Sequence, residues 1–484
     1  MPSSSSSPDL EALRLMRSGQ YTDALPFARR AVAASRGCSQ AHGLLATVLM
    51  HLGQREEAEA VVSAALDRGP GTADTYDALA FVLLQLGCHE RANTLYRRAA
   101  TLVGGSARFW YNLASSERSF GRLQNAEEAC DRAIALDSQH YQSYLLRSEL
   151  RKQSGANNHV AEMERILAHP KATDRAHMFL GYALGKELDD LDRHTEAFRW
   201  FSQAATVRRR SLIYDVAVDE RKLTRIAESF SLVDRAAKAE SPDSACFVFI
   251  LGLPRSGTTL LERILSRLPR VRSNGETENF SRALLAEAPP SDADVFSRAA
   301  MANFNRVGQH YAKLAGGTAD GKVIEKLPLN YLYLGAIQQA LPGATPILVT
   351  REPVDSCFAM YRTLFGEAYP FTYDFSDLAR YFAAYRRLVE HWRRSLGDWL
   401  VEVTYEELVK QPARVGAYSA HACGLLWDES AVEIHRSAGV SMTASAAQIR
   451  QPIYQSSAGK WRHYERNLAP LVAALRAHGV AVQG

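Results

Sequence analysis

The stretch Gly252-Leu253-Pro254-Arg255-Ser256-Gly257-Thr258-Thr259 has the residue types and spacing of an anion-binding loop. Before it, Cys246-Phe247-Val248-Phe249-Ile250-Leu251 is a short apolar run of β-formers and reads as a buried parallel strand. After it, Leu260 to Leu265 shows helical periodicity. Strand, glycine-bounded loop and helix cradle a phosphate or sulfate on backbone N–H groups at a helix N-terminus. The loop has the G-x-x-x-x-G spacing of nucleoside triphosphatases, but Thr258 stands where that motif has lysine. That lysine serves the β- and γ-phosphates, so its absence argues against ATP or GTP hydrolysis. Arg255 with the hydroxyls of Thr258 and Thr259 can instead hold one terminal phosphate or sulfate. A second apolar strand, Pro346 to Thr350, ends in Arg351, whose guanidinium suits a bidentate phosphate contact. No metal site is implied, because His391, His421, His435 and His463 lack ligand spacing.

The elements in front of this loop repeat. Gly19, Gly53, Gly87, Gly121 and Gly155 are each 34 residues apart. Ala24, Ala58, Ala92 and Ala126 sit five residues after the first four glycines, and Ala31, Ala65, Ala99 and Ala133 seven beyond those. A 34-residue period marks the tetratricopeptide helix–turn–helix repeat. Glycine ends the first helix in a left-handed turn, and alanine lets the paired helices approach closely. Leu44-Leu45-Ala46 and Leu79-Ala80-Phe81 read as first-helix core. The fifth unit keeps its glycine with Val160 and Leu167 at the alanine positions, and Ala183-Leu184-Gly185 with Ala197 and Ala204 reads as one more unit. Arg208-Arg209-Arg210 reads as a solvated helix end. Such arrays bind extended peptides or self-associate.

The C-terminal motifs carry a family resemblance. Pro254 to Leu260 resembles the 5′-phosphosulfate loop of sulfotransferases that use 3′-phosphoadenosine 5′-phosphosulfate (PAPS). The resemblance spans about residues 245 to 466 and is strongest to the protein-tyrosine sulfotransferases and to bacterial sulfotransferases with N-terminal tetratricopeptide repeats. Arg272 to Thr277 resembles the Gly-Glu-Thr setting of the family's general base. Glu325 to Asn330 resembles its Lys-x-Pro segment, and Arg351-Glu352-Pro353 the Arg-Asp-Pro start of its 3′-phosphate site. Val403 to Val409 resembles a segment whose tyrosine contacts the nucleotide. Ser445 to Tyr454 and Gly459-Lys460-Trp461 resemble the loop that closes over it.

The resemblance implies roles. Glu276 would be the general base, with Glu278 its nearest competitor, and Lys326 would donate to the bridging oxygen of the donor. Arg255, Ser256, Gly257, Thr258 and Thr259 would hold the 5′-phosphosulfate. Arg351, Arg362, Tyr405, Ser445, Gln448, Arg450 and Lys460 would hold the rest of the nucleotide. In the family a serine eight residues after the arginine completes the 3′-phosphate site; here that position is Ala359. A hydroxyl hydrogen bond to a phosphate is worth about 1–2 kcal/mol. Arg362, one helical turn further on, is placed to compensate. The aromatic stretch Tyr361 to Tyr373 is a candidate acceptor pocket, whereas Phe375, Tyr381, Phe382, Tyr385 and Trp392 read as helix core.

The whole chain is consistent with this division. Its 484 residues are more than one hydrophobic core usually holds. A net charge of +4 argues against a dedicated nucleic-acid binder. No apolar run is long enough to span a membrane, and the N-terminus has no secretory pattern. The six scattered cysteines suit free thiols in a reducing compartment, so a cytoplasmic protein is expected. The expected organisation is a disordered N-terminus (1–8), a tetratricopeptide α-solenoid (9–210), connecting helices (211–244), and a P-loop-like α/β sulfotransferase domain with a central parallel sheet (245–484). A peptide or protein partner for the repeats and a homodimer are compatible with it. The alternative to a PAPS-dependent enzyme is a repeat scaffold whose second domain binds nucleotide weakly.

Overall fold

A computed structural model describes residues 7–34, 39–69, 71–102, 106–230, 244–289, 294–317, 320–436, 452–455 and 457–482. The chain divides into two compact units, Met1–Arg151 and Lys152–Gly484. Most of the expected N-terminal tail, part of the 211–244 connector, Cys38, and the candidate residues Ser445, Gln448 and Arg450 lie outside the described residues.

The first unit is helical. Its helices are α1 (Pro8–Arg17), α2 (Tyr21–Ala34), α3 (Ser39–His51), α4 (Arg55–Asp67), α5 (Ala73–Gln85), α6 (His89–Thr101), α7 (Ala107–Ser119), α8 (Leu123–Leu136) and α9 (Tyr141–Glu149). Gly19, Gly53, Gly87 and Gly121 all have φ between +73° and +80°. In each turn the N–H after the glycine reaches back five residues, as Gln54 does to the Leu49 carbonyl and Cys88 to that of Leu83. This six-residue closure satisfies helix-end carbonyls. Ala24, Ala58, Ala92 and Ala126 are fully buried. Phe81 departs from the expected core: it is exposed, because Leu79, Ala80, Val82 and Leu83 take the buried face of α5.

The second unit begins with α10 (Val160–Leu167), α11 (Asp174–Asp190), α12 (His194–Arg210) and α13 (Val216–Ser229). Gly155 does not play the expected part. It lies beside an isolated bridge between Ser154 and Asn157 and has no positive φ. Gly185 sits inside α11, where a Cβ would meet the Phe201 ring at 2.6 Å, so it serves helix packing. The left-handed position falls instead on Asp192, φ +59°, with the same five-residue closure from Arg193 N–H to the Leu188 carbonyl. Short polar side chains tolerate this conformation. Buried Ala197 and Ala204 follow Asp192 at the repeat's own offsets.

The remainder is an α/β domain. Its strands are β1 (Phe247–Gly252), β2 (Val271–Ser273), β3 (Lys322–Lys326), β4 (Thr345–Thr350) and β5 (Val401–Thr404). They form one sheet in the order β2-β3-β1-β4-β5, every pair parallel. The helices are α14 (Thr258–Leu265), α15 (Asn279–Glu287), α16 (Val295–Ala300), α17 (Phe304–Ala315), α18 (Leu334–Ala340), α19 (Pro353–Tyr361), α20 (Phe375–Leu396), α21 (Tyr405–Lys410), α22 (Pro412–Ala422) and α23 (Glu465–Ala477). All six β1 residues are buried, which explains the unbroken apolar run. Alternate residues Val248, Ile250, Ile324, Ile347 and Val349 pack with Leu261 and Ile264 of α14 on one face. Phe247 and Phe249 meet Tyr311 and Phe280 on the other. The α20 aromatics Tyr381, Phe382, Tyr385 and Trp392 are buried, as their periodicity implied, whereas Phe375, the helix's first residue, is half-buried.

Candidate functional site

Each of the five strands hands one candidate group to the same edge of the sheet. β1 runs into the loop and Thr258; β2 is followed by Glu276, β3 ends on Lys326, β4 is followed by Arg351, and β5 by Tyr405. After β1 the chain adds strands on one side, and β4 starts the other side. The crevice at the carboxyl ends of β1 and β4 is therefore the switch point where ligands collect in open α/β sheets.

The loop is sharply folded. Arg255 has φ +67° and Gly257 φ +101°. Gly257 is the N-cap of α14, and no side chain caps that helix. Its first turn is thus left to backbone N–H groups, as an anion site requires. The hydroxyl of Ser256 is buried without a hydrogen-bond partner, and Thr258 and Thr259 are buried beside it.

Glu276 and Lys326 form an ion pair through Oε1 and Nζ. The ladder brings the two residues side by side. Asn274 N–H donates to the Ile324 carbonyl at 2.8 Å and Lys326 N–H to the Gly275 carbonyl at 3.0 Å, so β2 and β3 stay in step past their last paired residues. Lys326 is fully buried, while the Glu276 side chain is 44% exposed. Glu262 of α14 stands 3.8 Å from the Lys326 ammonium and accepts from Ser273 at 2.6 Å. Glu278, the competitor, is exposed and does not pair with Lys326.

Glu325 points to the opposite face. It is fully buried and accepts from Thr277 at 2.9 Å and from Asn330 at 3.3 Å. Burial pushes its carboxyl up to about 7, against hydrogen bonds from Thr277 and Asn330 that lower it. The fold therefore keeps a proton that the unfolded chain, near 4.5, releases. That contribution is complete below the unfolded value and is lost as pH rises through 7. Relative to Glu325→Gln, the wild type should lose on the order of 3 kcal/mol between pH 4.5 and 7.5. Denaturant titrations of both proteins across this range measure it; parallel profiles would refute it.

Arg351 knits the ends of β1 and β4 to the C-terminal segment. It donates to the Arg255 carbonyl at 3.0 Å and to the Ser457 carbonyl at 2.5 Å, and its guanidinium lies 4.5 Å from the centre of the Tyr405 ring. Asp355, one turn on, is 3.7 Å away. The Tyr405 hydroxyl hydrogen-bonds Ser457 at 2.6 Å. Asp355 also accepts from the N–H groups of Gly459 and Trp461. Residues 457–461 are thus fastened to Arg351 at the end of β4 and to Asp355 of α19. Tyr454 lies within the electrostatic reach of Arg255, Arg362 and Arg351, whose charges oppose the upward push of burial on its hydroxyl.

Arg362 and Lys460 do not point to solvent. Both pair with Asp189 of α11, Arg362 at 2.8 Å. Nor is the basic run at the end of α12 solvated. Arg208 is buried and donates to the Gly366 carbonyl, Arg209 pairs with Asp377 at 2.7 Å, and Arg210 alone is exposed. Asp189 and Ser457 are the contacts that sequence reasoning missed. One signal existed for Asp189: Glu187, Asp189 and Asp190 crowd a helix C-terminus, where the helix dipole disfavours acids.

Residues 248–429 match a family model described as "Sulfotransferase family". Residues 15–80 and 78–141 match two models described as "Tetratricopeptide repeat". An Aquifex aeolicus (strain VF5) protein named "Uncharacterized protein" is 26% identical over 380 residues, 74% of this chain. The match spans 49%, about half, of that relative's length. A Caenorhabditis briggsae protein named "Putative protein-tyrosine sulfotransferase" is 24% identical over 233 residues, covering 44% of this chain and 80% of that one. A solved sulfotransferase domain from the Synechococcus PCC 7002 olefin synthase is 20% identical, with TM-score 0.36, over 49% of this chain and 95% of that one. The chain thus carries tetratricopeptide repeats followed by a sulfotransferase-family domain.

Proposed function

We propose that the chain transfers a sulfuryl group from PAPS to an acceptor hydroxyl, with a peptide tyrosine the favoured acceptor and a carbohydrate or small metabolite the alternatives. The observation that carries this is the convergence of the glycine-bounded loop, the Glu276–Lys326 pair, Arg351 and Tyr405 at the carboxyl ends of five parallel strands. The donor set suits a nucleotide with two anionic ends. Ser256 Oγ and Arg351 Nε are buried without hydrogen-bond partners, and a Cβ on Gly257 would fill the space against Tyr405.

PAPS supplies the activated sulfuryl group. The loop, with Arg255, Thr258 and Thr259, holds the 5′-phosphosulfate, and Arg351 with Tyr405 holds the nucleotide. Glu276 takes the proton of the acceptor hydroxyl as its oxygen bonds to sulfur. The bond from sulfur to the bridging oxygen breaks, and Lys326 neutralises the charge left on the departing phosphate. Positioning and charge stabilisation dominate such loose, in-line transfers. Tyr369 supports an aromatic acceptor, because the Glu276 charge reaches its hydroxyl and Phe365 packs edge-on against its ring. Among the described residues, no helix is long and apolar enough to cross a membrane. With its free cysteines this favours work in the cytoplasm. The repeats mediate protein interactions, so their partner is a protein or peptide, the acceptor among the candidates.

Calorimetric titration with adenosine 3′,5′-bisphosphate, ADP and ATP tests the donor. Selective binding of the bisphosphate is expected. No binding, or a preference for ATP, would overturn the reading.

A further inference from the structure

Asp189 is a buried carboxylate that the sequence motifs do not include, yet it holds two of the cations they do. Its side chain is 2% exposed. Oδ2 accepts from Arg362 Nη1 at 2.8 Å and from Lys460 Nζ; Oδ1 accepts from the Tyr464 hydroxyl at 2.6 Å. His194 Nδ1 lies 3.6 Å away. Burial pushes this carboxyl up, but Arg362 and Lys460 outweigh it and hold the group down at about 2. Three segments meet here: the end of α11, the end of α19, and the turn Lys460–Tyr464.

Among the described residues, the charged ends of Arg362 and Lys460 pair with Asp189 alone. The Arg362 and Lys460 side chains remain 21% and 24% exposed, while the carboxylate between them is sealed. Arg362 has five N–H donors and Lys460 three, so each keeps donors for a ligand. The segment that carries Lys460 is also tied to Arg351 through Ser457 and to Asp355 through Gly459. Two cations on neighbouring segments repel each other. A buried counter-charge lets them stand together before any anion arrives.

We propose that Asp189 is a positioning residue for the 3′-phosphate of the donor, holding Arg362 and Lys460 together so that these two cations do the work of the serine hydroxyl that Ala359 does not provide. This rests on the donor reading above. It assigns the α11–α12 hairpin a part in nucleotide selection.

The test compares the full-length chain with Asp189→Asn, which keeps an acceptor for Tyr464 and removes the charge. Calorimetry gives the ratio of affinities for adenosine 3′,5′-bisphosphate and adenosine 5′-monophosphate, with thermal melts alongside. The variant should lose at least about tenfold of that ratio, with monophosphate affinity within about twofold of wild type. A general gain of positive charge would tighten both ligands and leave the ratio unchanged. An unchanged or higher ratio overturns the proposal. If the variant does not fold, Tyr464→Phe, which loosens the same carboxylate, should lower the ratio about threefold, and an unchanged ratio there overturns it equally. A wild type with no preference for the bisphosphate overturns the donor reading itself, and this inference with it.

Discussion

Glu276→Gln should lower the rate of sulfuryl transfer to a tyrosine peptide by about 100- to 10,000-fold, the range for removing a general base. Affinity for the bisphosphate should change by less than about twofold. The two effects separate because of where the side chain sits. Its Oε1 accepts from Lys326, and a glutamine carbonyl oxygen accepts the same hydrogen bond. The lysine therefore stays in place, and the loop at the end of β1 is untouched. What glutamine cannot do is take a proton. Glu278→Gln is the matched control, since that carboxylate lies outside the ion pair, and it should keep most of the activity. Single-turnover transfer measures both. A loss below about tenfold in Glu276→Gln would place the base elsewhere.

How legible the site was depended on whether backbone or distant side chains define each part. The loop from Gly252 to Thr259 was readable because a strand, two glycines and a helix must follow one another locally. The repeats were readable for the same reason, since a left-handed turn and a close helix contact each demand a small residue at a fixed spacing. Asp192 shows the limit of that logic. The turn needed a left-handed conformation rather than glycine itself, and an aspartate supplied it five residues before Ala197, at the repeat's own offset. Gly155, by contrast, keeps the 34-residue spacing without the left-handed turn.

Charges were the hardest to read. Arg208 and Arg209 look like a solvated end because their partners, the Gly366 carbonyl and Asp377, are 158 and 168 residues away in sequence. Asp189 is 173 residues from Arg362. No local pattern links such pairs, since their desolvation is offset only once the fold brings them together. Arg351 was placed correctly at its strand end. Its engagement with two carbonyls and the Tyr405 ring follows from the closing segment, which the sequence shows only by resemblance.

Gly257→Ala should cost about 2–4 kcal/mol of stability and at least about tenfold in bisphosphate affinity. The glycine has φ +101°, and an added Cβ would stand 2.5 Å from Cδ2 of Tyr405. That ring cannot easily yield. Its hydroxyl is bonded to Ser457 and its face carries the Arg351 guanidinium, so a swing of the ring loosens both contacts. Gly479→Ala isolates the backbone contribution: its φ is +74° and its Cβ would meet nothing, so only about 1 kcal/mol should be lost. The collision can then be relieved deliberately. Adding Tyr405→Ala to Gly257→Ala should give a double variant that is more stable than the sum of the two single losses, because the clash is gone. Bisphosphate affinity should stay low in it, because Arg351 no longer has its aromatic platform. Chemical denaturation of the four variants, with calorimetry on the folded ones, measures both parts. Strict additivity would show that the Gly257 requirement is the loop's own backbone and that Tyr405 has no part in it.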